Sequence, residues 1–143
     1  MERFEKQHDD LVRRAEHILA FALSSALGDA KELSEMRRAF SKAIVSHREE
    51  EKTHVLNAIR MGRLAERTAA DMGNKVIRWQ ADFMTCNSVW PTARIMAEPC
   101  VFADCFKPIV EEMRRLTRME EEQVLAPIAM AEARPPKAST HKF

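Results

Sequence analysis

A chain of 143 residues with 23 basic and 22 acidic side chains has a formal charge of +1, so nothing in its balance calls for nucleic acid or an anionic membrane. The length suits one domain with a core and is short for two. Three glycines, no tyrosine and abundant Ala, Leu, Met, Glu and Arg read as a helical protein and leave no material for a glycine-rich phosphate loop. No apolar run approaches the roughly 20 residues that span a bilayer. Met1-Glu2-Arg3-Phe4-Glu5-Lys6 lacks the apolar core of a signal peptide. Cys86, Cys100 and Cys105 are odd in number and have no zinc-type spacing, so the expected setting is a reducing cytoplasm.

Apolar periodicity predicts a first helix over about 3–27, with Phe4, His8, Leu11, Ala15, Ile18 and Ala22 on its inner stripe. Gly28 followed by Asp29 reads as a helix-ending glycine and then an N-cap, so the chain reverses there. A second helix covers about 30–61 and stops near Gly62, with Met36, Phe40, Ala43, His47, Glu51, His54 and Ala58 on one face. The pattern weakens over 63–74, where Gly73 reads as punctuation. A third helix begins at about Lys75, with Val76, Trp79, Phe83, Cys86 and Trp90 inward. Pro91 and Pro99 bracket a short helical piece, 92–98. The last helix lies between Cys100 and about Ala131, with Pro108 either kinking it or marking its first turn. Its stripe reads Phe106, Val110, Met113, Thr117, Glu121, Val124 and Ile128. Residues 133–143 read as a flexible tail beyond a single domain of residues 1–132.

The expected fold is therefore all-α, an antiparallel up-down four-helix bundle with a short extra helical segment between helices three and four. His47 and Glu51 are four apart and share a helix face, and that face is the apolar one. A carboxylate aimed inward without a partner costs several kcal/mol, roughly, so a counter-group is required. His8 and residue 50 each lie about 21 residues from the first turn, roughly 30 Å along their helices at about 1.5 Å per residue. His8 thus comes level with His47 and Glu51, and Glu121 belongs to the inner stripe of a helix that should pass the same end. Two imidazoles and two carboxylates in one layer point to a metal.

These residues resemble the hemerythrin-like, HHE cation-binding family, whose members are four-helix bundles around a non-haem di-iron centre. The pattern extends over about residues 4–131. His8 stands for the family's early histidine, and His47-Arg-Glu-Glu-Glu51 for the His-x-x-x-Glu of its second helix. The family's second His-x-x-x-Glu, running into Leu-aromatic-Pro, corresponds to Thr117-Arg-Met-Glu-Glu121-Glu-Gln-Val-Leu125-Ala-Pro127, with threonine in the histidine slot. Helix three supplies no histidine; the site level falls around Val76 to Trp79, and Cys86 is the only soft donor on its inner stripe. The resemblance implies a non-haem iron site, mono- or dinuclear and partly eroded, held by His8, His47, Glu51 and Glu121, with His54 or Cys86 as lesser candidates. It also implies a role in sensing oxygen, nitric oxide or redox state, or in iron handling, with a small diatomic ligand.

Each residue also has a plainer reading. His47 with Glu51 serves equally as a hydrogen-bonded interior pair, His8 as an interface histidine on Glu51, and 120–122 as a solvated acidic run. His54 reads as a solvent-edge residue and Cys86 as a small buried hydrophobe. The competing function is a metal-free helical module for regulation or scaffolding, with a homo-oligomer or protein partner. A smaller alternative is a ferritin-like di-iron protein, since Glu51-Lys-Thr-His54 matches Glu-x-x-His, although Glu120 is followed three later by Gln123. No nucleophile stands in a recognisable elbow, so turnover chemistry is not expected.

Overall fold

The structure, a computed structural model, describes residues 1–24 and 29–134. These form α1 (Glu2–Leu23), α2 (Ala30–Arg60), α3 (Glu66–Val89), α4 (Thr92–Ala97), α5 (Pro99–Glu120), a π-helical turn (Glu121–Leu125) and α6 (Ala126–Ala133). The protein is all-helical, with no strand among the described residues.

α1 buries Phe4, His8, Leu11, Ala15, Ile18 and Ala22, the stripe read from the sequence. It ends at Leu23, short of the expected 27, with Ser24 already extended; Leu27 and Gly28 lie outside the described residues. α2 opens on Asp29, whose side chain accepts from the Lys31 N–H at 3.0 Å. It closes on Gly62, where φ is +70°. The Arg63 N–H there reaches the Ala58 carbonyl at 2.8 Å and the Gly62 N–H reaches that of Ile59 at 3.0 Å. Those two bonds satisfy carbonyls that the last turn leaves free, and only glycine takes that backbone angle without strain.

α3 begins at Glu66, well before Lys75, and Gly73 lies inside it. Its first turns carry Ala69, Ala70 and Gly73, which give little apolar contrast, so the periodicity faded where the helix did not. The short piece between the prolines is α4. Arg37 on α2 holds the α3–α4 corner, donating to the Trp90 carbonyl at 2.6 Å, to Asn87 Oδ1 at 3.2 Å and to Thr92 Oγ1 at 3.1 Å. Pro99 is the first residue of α5, where its missing N–H costs nothing, and Pro108 stands inside the helix rather than in its first turn. The last helix is not uniform: the Ala126 N–H bonds the Glu121 carbonyl, five residues back. Pro127 follows directly and has no N–H for the Gln123 carbonyl, which removes the bond that would keep this turn regular.

α1 packs on α2 and α5, α3 packs on α5, and α4 rests on α2 and α5. The Phe4 ring meets His54 at 4.9 Å and the His8 ring meets His47 at 4.7 Å, so α1 and α2 run in opposite directions. Two apolar clusters fill the interior. The larger gathers Leu11, Ile18, Phe40, Ile44, Trp79, Phe83, Phe106 and Met113; the smaller gathers Phe4, Ala58, Met72, Val76, Val124 and Ile128. Phe83 stacks on Trp79 at 5.5 Å and meets Phe40 edge-on at 5.2 Å. Phe83→Ala should therefore lower unfolding free energy by about 3–5 kcal/mol, whereas its exposed neighbour Met84, substituted by alanine, should stay within about 0.5 kcal/mol of wild type. Urea titrations of both variants check this pair.

Candidate metal centre

The two clusters are separated by a polar layer, and each contributing helix supplies it at the same point. On α1, His8 falls between Phe4 and Leu11, members of opposite clusters. On α2, His47 and Glu51 fall between Ile44 and Ala58, and at the end of α5 Glu120 falls between Leu116 and Val124. α3 passes from Val76 directly to Trp79 and contributes no donor. His8, His47, Glu51 and Glu120 are all buried, with one ligand atom from each lying within 4.8 Å of the others.

His8 Nε2 stands 3.4 Å from Glu51 Oε2 and 3.6 Å from Glu120 Oε1, while His47 Nε2 stands 3.2 Å from Glu51 Oε2. His8 Nε2 and Glu51 Oε2 are sealed from solvent and have no hydrogen-bond partner. The opposite ring nitrogens are held firmly. His8 Nδ1 contacts Glu121 Oε2 at 2.7 Å, and His47 Nδ1 contacts Gln7 Oε1 at 2.7 Å. Gln7 turns its amide nitrogen to Glu50, which leaves its oxygen facing His47, so His47 Nδ1 carries the proton and donates. In the neutral ring the Nε2 lone pair then points at the centre of the layer. Arg48 Nη1 lies 3.4 Å from Glu51 Oε1, the oxygen turned away from that centre.

Charge is distributed unequally. Burial alone would raise Glu51, but His47 and His8 beside it hold its carboxyl well below the usual carboxylate range. Burial, reinforced by the Glu51 charge, pushes Glu120 up to about 10, so it is neutral at pH 7. Burial would lower His8, yet the Glu51 and Glu121 carboxylates outweigh it and raise the imidazole.

Of the residues expected at the site, His8, His47 and Glu51 come together. Glu121 also arrives, but at the back of the His8 ring, and with a quarter of its side chain exposed. Glu120, expected in a solvated run, occupies the inner position. Leu116 and not Thr117 is the buried residue one turn earlier, and both glutamates reach His8 from adjacent positions at the start of the π-helical turn. The Leu116–Glu120 spacing and Pro127 are the signals from which this could have been read. His54 is half-buried against Phe4, outside the group of four. Cys86 lies in the larger apolar cluster with its sulfur on Cys105, where burial and that neighbour push its thiol up to about 12. Gln123 is exposed, so the Glu-x-x-His alternative has no second half.

The donor set fits a metal ion. Donors about 2.0–2.1 Å from a common tetrahedral ion stand about 3.3–3.4 Å from one another, and the observed 3.2, 3.4 and 3.6 Å separations bracket that value. Such spacing is long for hydrogen bonds between the same atoms, and it accounts for the two orphaned atoms. The Nδ1 contacts are those that orient metal-bound imidazoles elsewhere. Beside His47 and Glu120 a cavity of about 40 Å³ is walled by Leu11, Ile44, Val76, Trp79 and Met113. It has room for water or a diatomic molecule. A groove of about 400 Å³ between α2 and α3, walled by Val55, Ile59, Ala69 and Met72, reaches Glu51 and Glu120 from outside.

No protein-family model, curated protein or solved structure matches the chain.

The metal-free layer has a definite pH response. Glu120, raised from 4.5 to about 10, stabilises the fold fully below about pH 4.5 and loses that contribution as pH climbs towards 10. His8, raised from 6.5, adds a loss in the same direction above neutrality, while the Glu51 contribution disappears only below pH 4.5. Chelator-treated protein should therefore melt progressively lower between pH 6 and 9, and Glu120→Gln should flatten that slope; thermal melts across the range decide.

Proposed function

We propose that the protein is a hemerythrin-like metal protein, an antiparallel four-helix bundle holding one divalent transition ion, with iron the first candidate. His8 and His47 would bind it through Nε2, Glu51 and Glu120 through carboxylate oxygens, with Glu121 and Gln7 fixing the two rings from behind. The observation that carries this reading is the pair of solvent-sealed, partnerless atoms, His8 Nε2 and Glu51 Oε2, facing each other across the layer. Imidazole with carboxylate is a donor set suited to iron, zinc or manganese. One ion accounts for the donors present. A second would need ligands from α3, where Val76 and Trp79 stand instead.

Iron so held would supply one-electron chemistry, and the small cavity lined by His47 and Glu120 supports sensing of oxygen, nitric oxide or redox state over turnover of an organic substrate. No helix among the described residues is long and apolar enough to cross a membrane; the cytoplasmic setting is proposed from the cysteines.

The second reading, a metal-free regulatory or scaffolding module, draws on charge. With Glu120 neutral and His8 shifted towards its charged form, the Glu51 carboxylate has a counter-group without any ion.

Metal content separates the two. Protein expressed in iron-supplemented medium and purified without chelator or affinity tag should carry one metal per chain by elemental analysis. His47→Ala and Glu51→Ala should each abolish it. Gln7→Leu, which leaves the four donors in place, should weaken binding by about 10–100-fold against a competing chelator. Metal-free protein throughout, with His47→Ala unfolding as wild type, would establish the scaffold reading in its place.

A further inference from the structure

Away from the polar layer, two of the three cysteines meet. Cys86, on the inner face of α3, is buried; Cys105, on α5, is exposed directly above it, with the two sulfurs 3.6 Å apart. Cys100 is exposed on the same helix as Cys105, five residues earlier, which places it on a different face. Closing the Cys86–Cys105 gap of 3.6 Å to a bond of about 2.05 Å needs about 1.5 Å of sulfur approach. The contacts around Cys86 bear on which thiol reacts first. Its sulfur is screened by the apolar cluster, so a dissolved oxidant meets Cys105.

We propose that Cys86 and Cys105 form an oxidative modification site, at which a peroxide converts the two thiols to a reversible disulfide tying α3 to α5. In the first step the Cys105 thiolate attacks a peroxide oxygen. The O–O bond breaks, the sulfur becomes a sulfenic acid and the leaving oxygen departs as water or an alcohol. In the second step the Cys86 sulfur attacks the Cys105 sulfenic sulfur, and hydroxide leaves with the proton from Cys86 as water. Overall, two thiols and one peroxide give one disulfide, with the peroxide reduced by two electrons. A thiol reductant such as glutathione reverses it through a mixed disulfide at the exposed Cys105. Burial of Cys86 slows the second step without preventing it, because the partner sulfur is already in contact, and it keeps Cys86 from reacting alone. The bond would link residues 19 apart across two packed helices, so the oxidised form resists heat better than the reduced one.

The test uses the full chain, reduced and then treated with a small excess of hydrogen peroxide. Free thiols counted under denaturing conditions should fall from three to one, and peptide mapping without reductant should recover a Cys86–Cys105 cross-linked pair. The melting temperature should rise and return on adding glutathione. Cys100→Ser should give the same cross-link and the same melting shift, with its thiol count falling from two to zero, while Cys86→Ser should leave Cys105 to proceed to the sulfinic acid. A Cys105 sulfinate in the wild-type chain, a disulfide through Cys100, or a cross-link between two chains would each overturn the proposal. So would an unchanged thiol count.

Discussion

The structure is governed by the cost of holding ionisable groups out of water. Four of them sit in one layer between two apolar clusters, with two polar atoms left facing each other unsatisfied. A buried carboxylate or imidazole without a partner is worth several kcal/mol against the fold, roughly, so such a layer persists only where something balances it. Three devices do so here. Glu51 keeps its charge because imidazoles surround it, Glu120 gives up its charge because Glu51 keeps its own, and Glu121 and Gln7 take the outward nitrogens of the rings. What is left over is four buried side chains whose ligand atoms lie within 4.8 Å of one another.

The apolar clusters make that layer possible. Phe40, Trp79, Phe83 and Phe106 hold the helices together on one side, and Phe4, Met72, Val76 and Ile128 on the other. Because the layer is flanked on both sides, the side chains in it cannot relax outward, and the separations between donors are set by packing rather than by their own attraction. α3 takes part in the packing and not in the chemistry. Trp79 donates its indole N–H to the Ile109 carbonyl at 2.9 Å, so the aromatic that stands at the site level is itself anchored to α5. This volume of side chain fills the space from which α3 could otherwise offer a donor.

The π-helical turn at Glu121–Leu125 is the local feature with the largest consequence. A regular helix through this segment would present one glutamate inward and rotate its neighbour by about 100°. Here Glu120 faces the layer's centre while Glu121, at the start of the widened turn, reaches the far nitrogen of the same imidazole. One histidine is thereby gripped from both sides by consecutive residues. The apolar stripe also changes register there, so Val124, Leu125 and Ile128 continue the burial that Leu116 began.

By itself the sequence determined the helical class, the faces of α1 and α2, the capping at Asp29 and Gly62, and the meeting of His8 with His47 and Glu51. Those follow from local rules: periodicity puts apolar residues on one side, and rise per residue brings equidistant positions level across a turn. It did not determine where α3 begins, because Ala69, Ala70 and Gly73 carry almost no apolar contrast. Nor did it separate Glu120 from Glu121, adjacent residues of one type whose roles depend on how the last helix is rotated against α1. The contact of Cys86 with Cys105, and the choice of Gln7 to orient His47, were likewise decided only by tertiary structure. Each depends on how two helices turn about their axes against one another, and that rotation is set by packing across the whole interior.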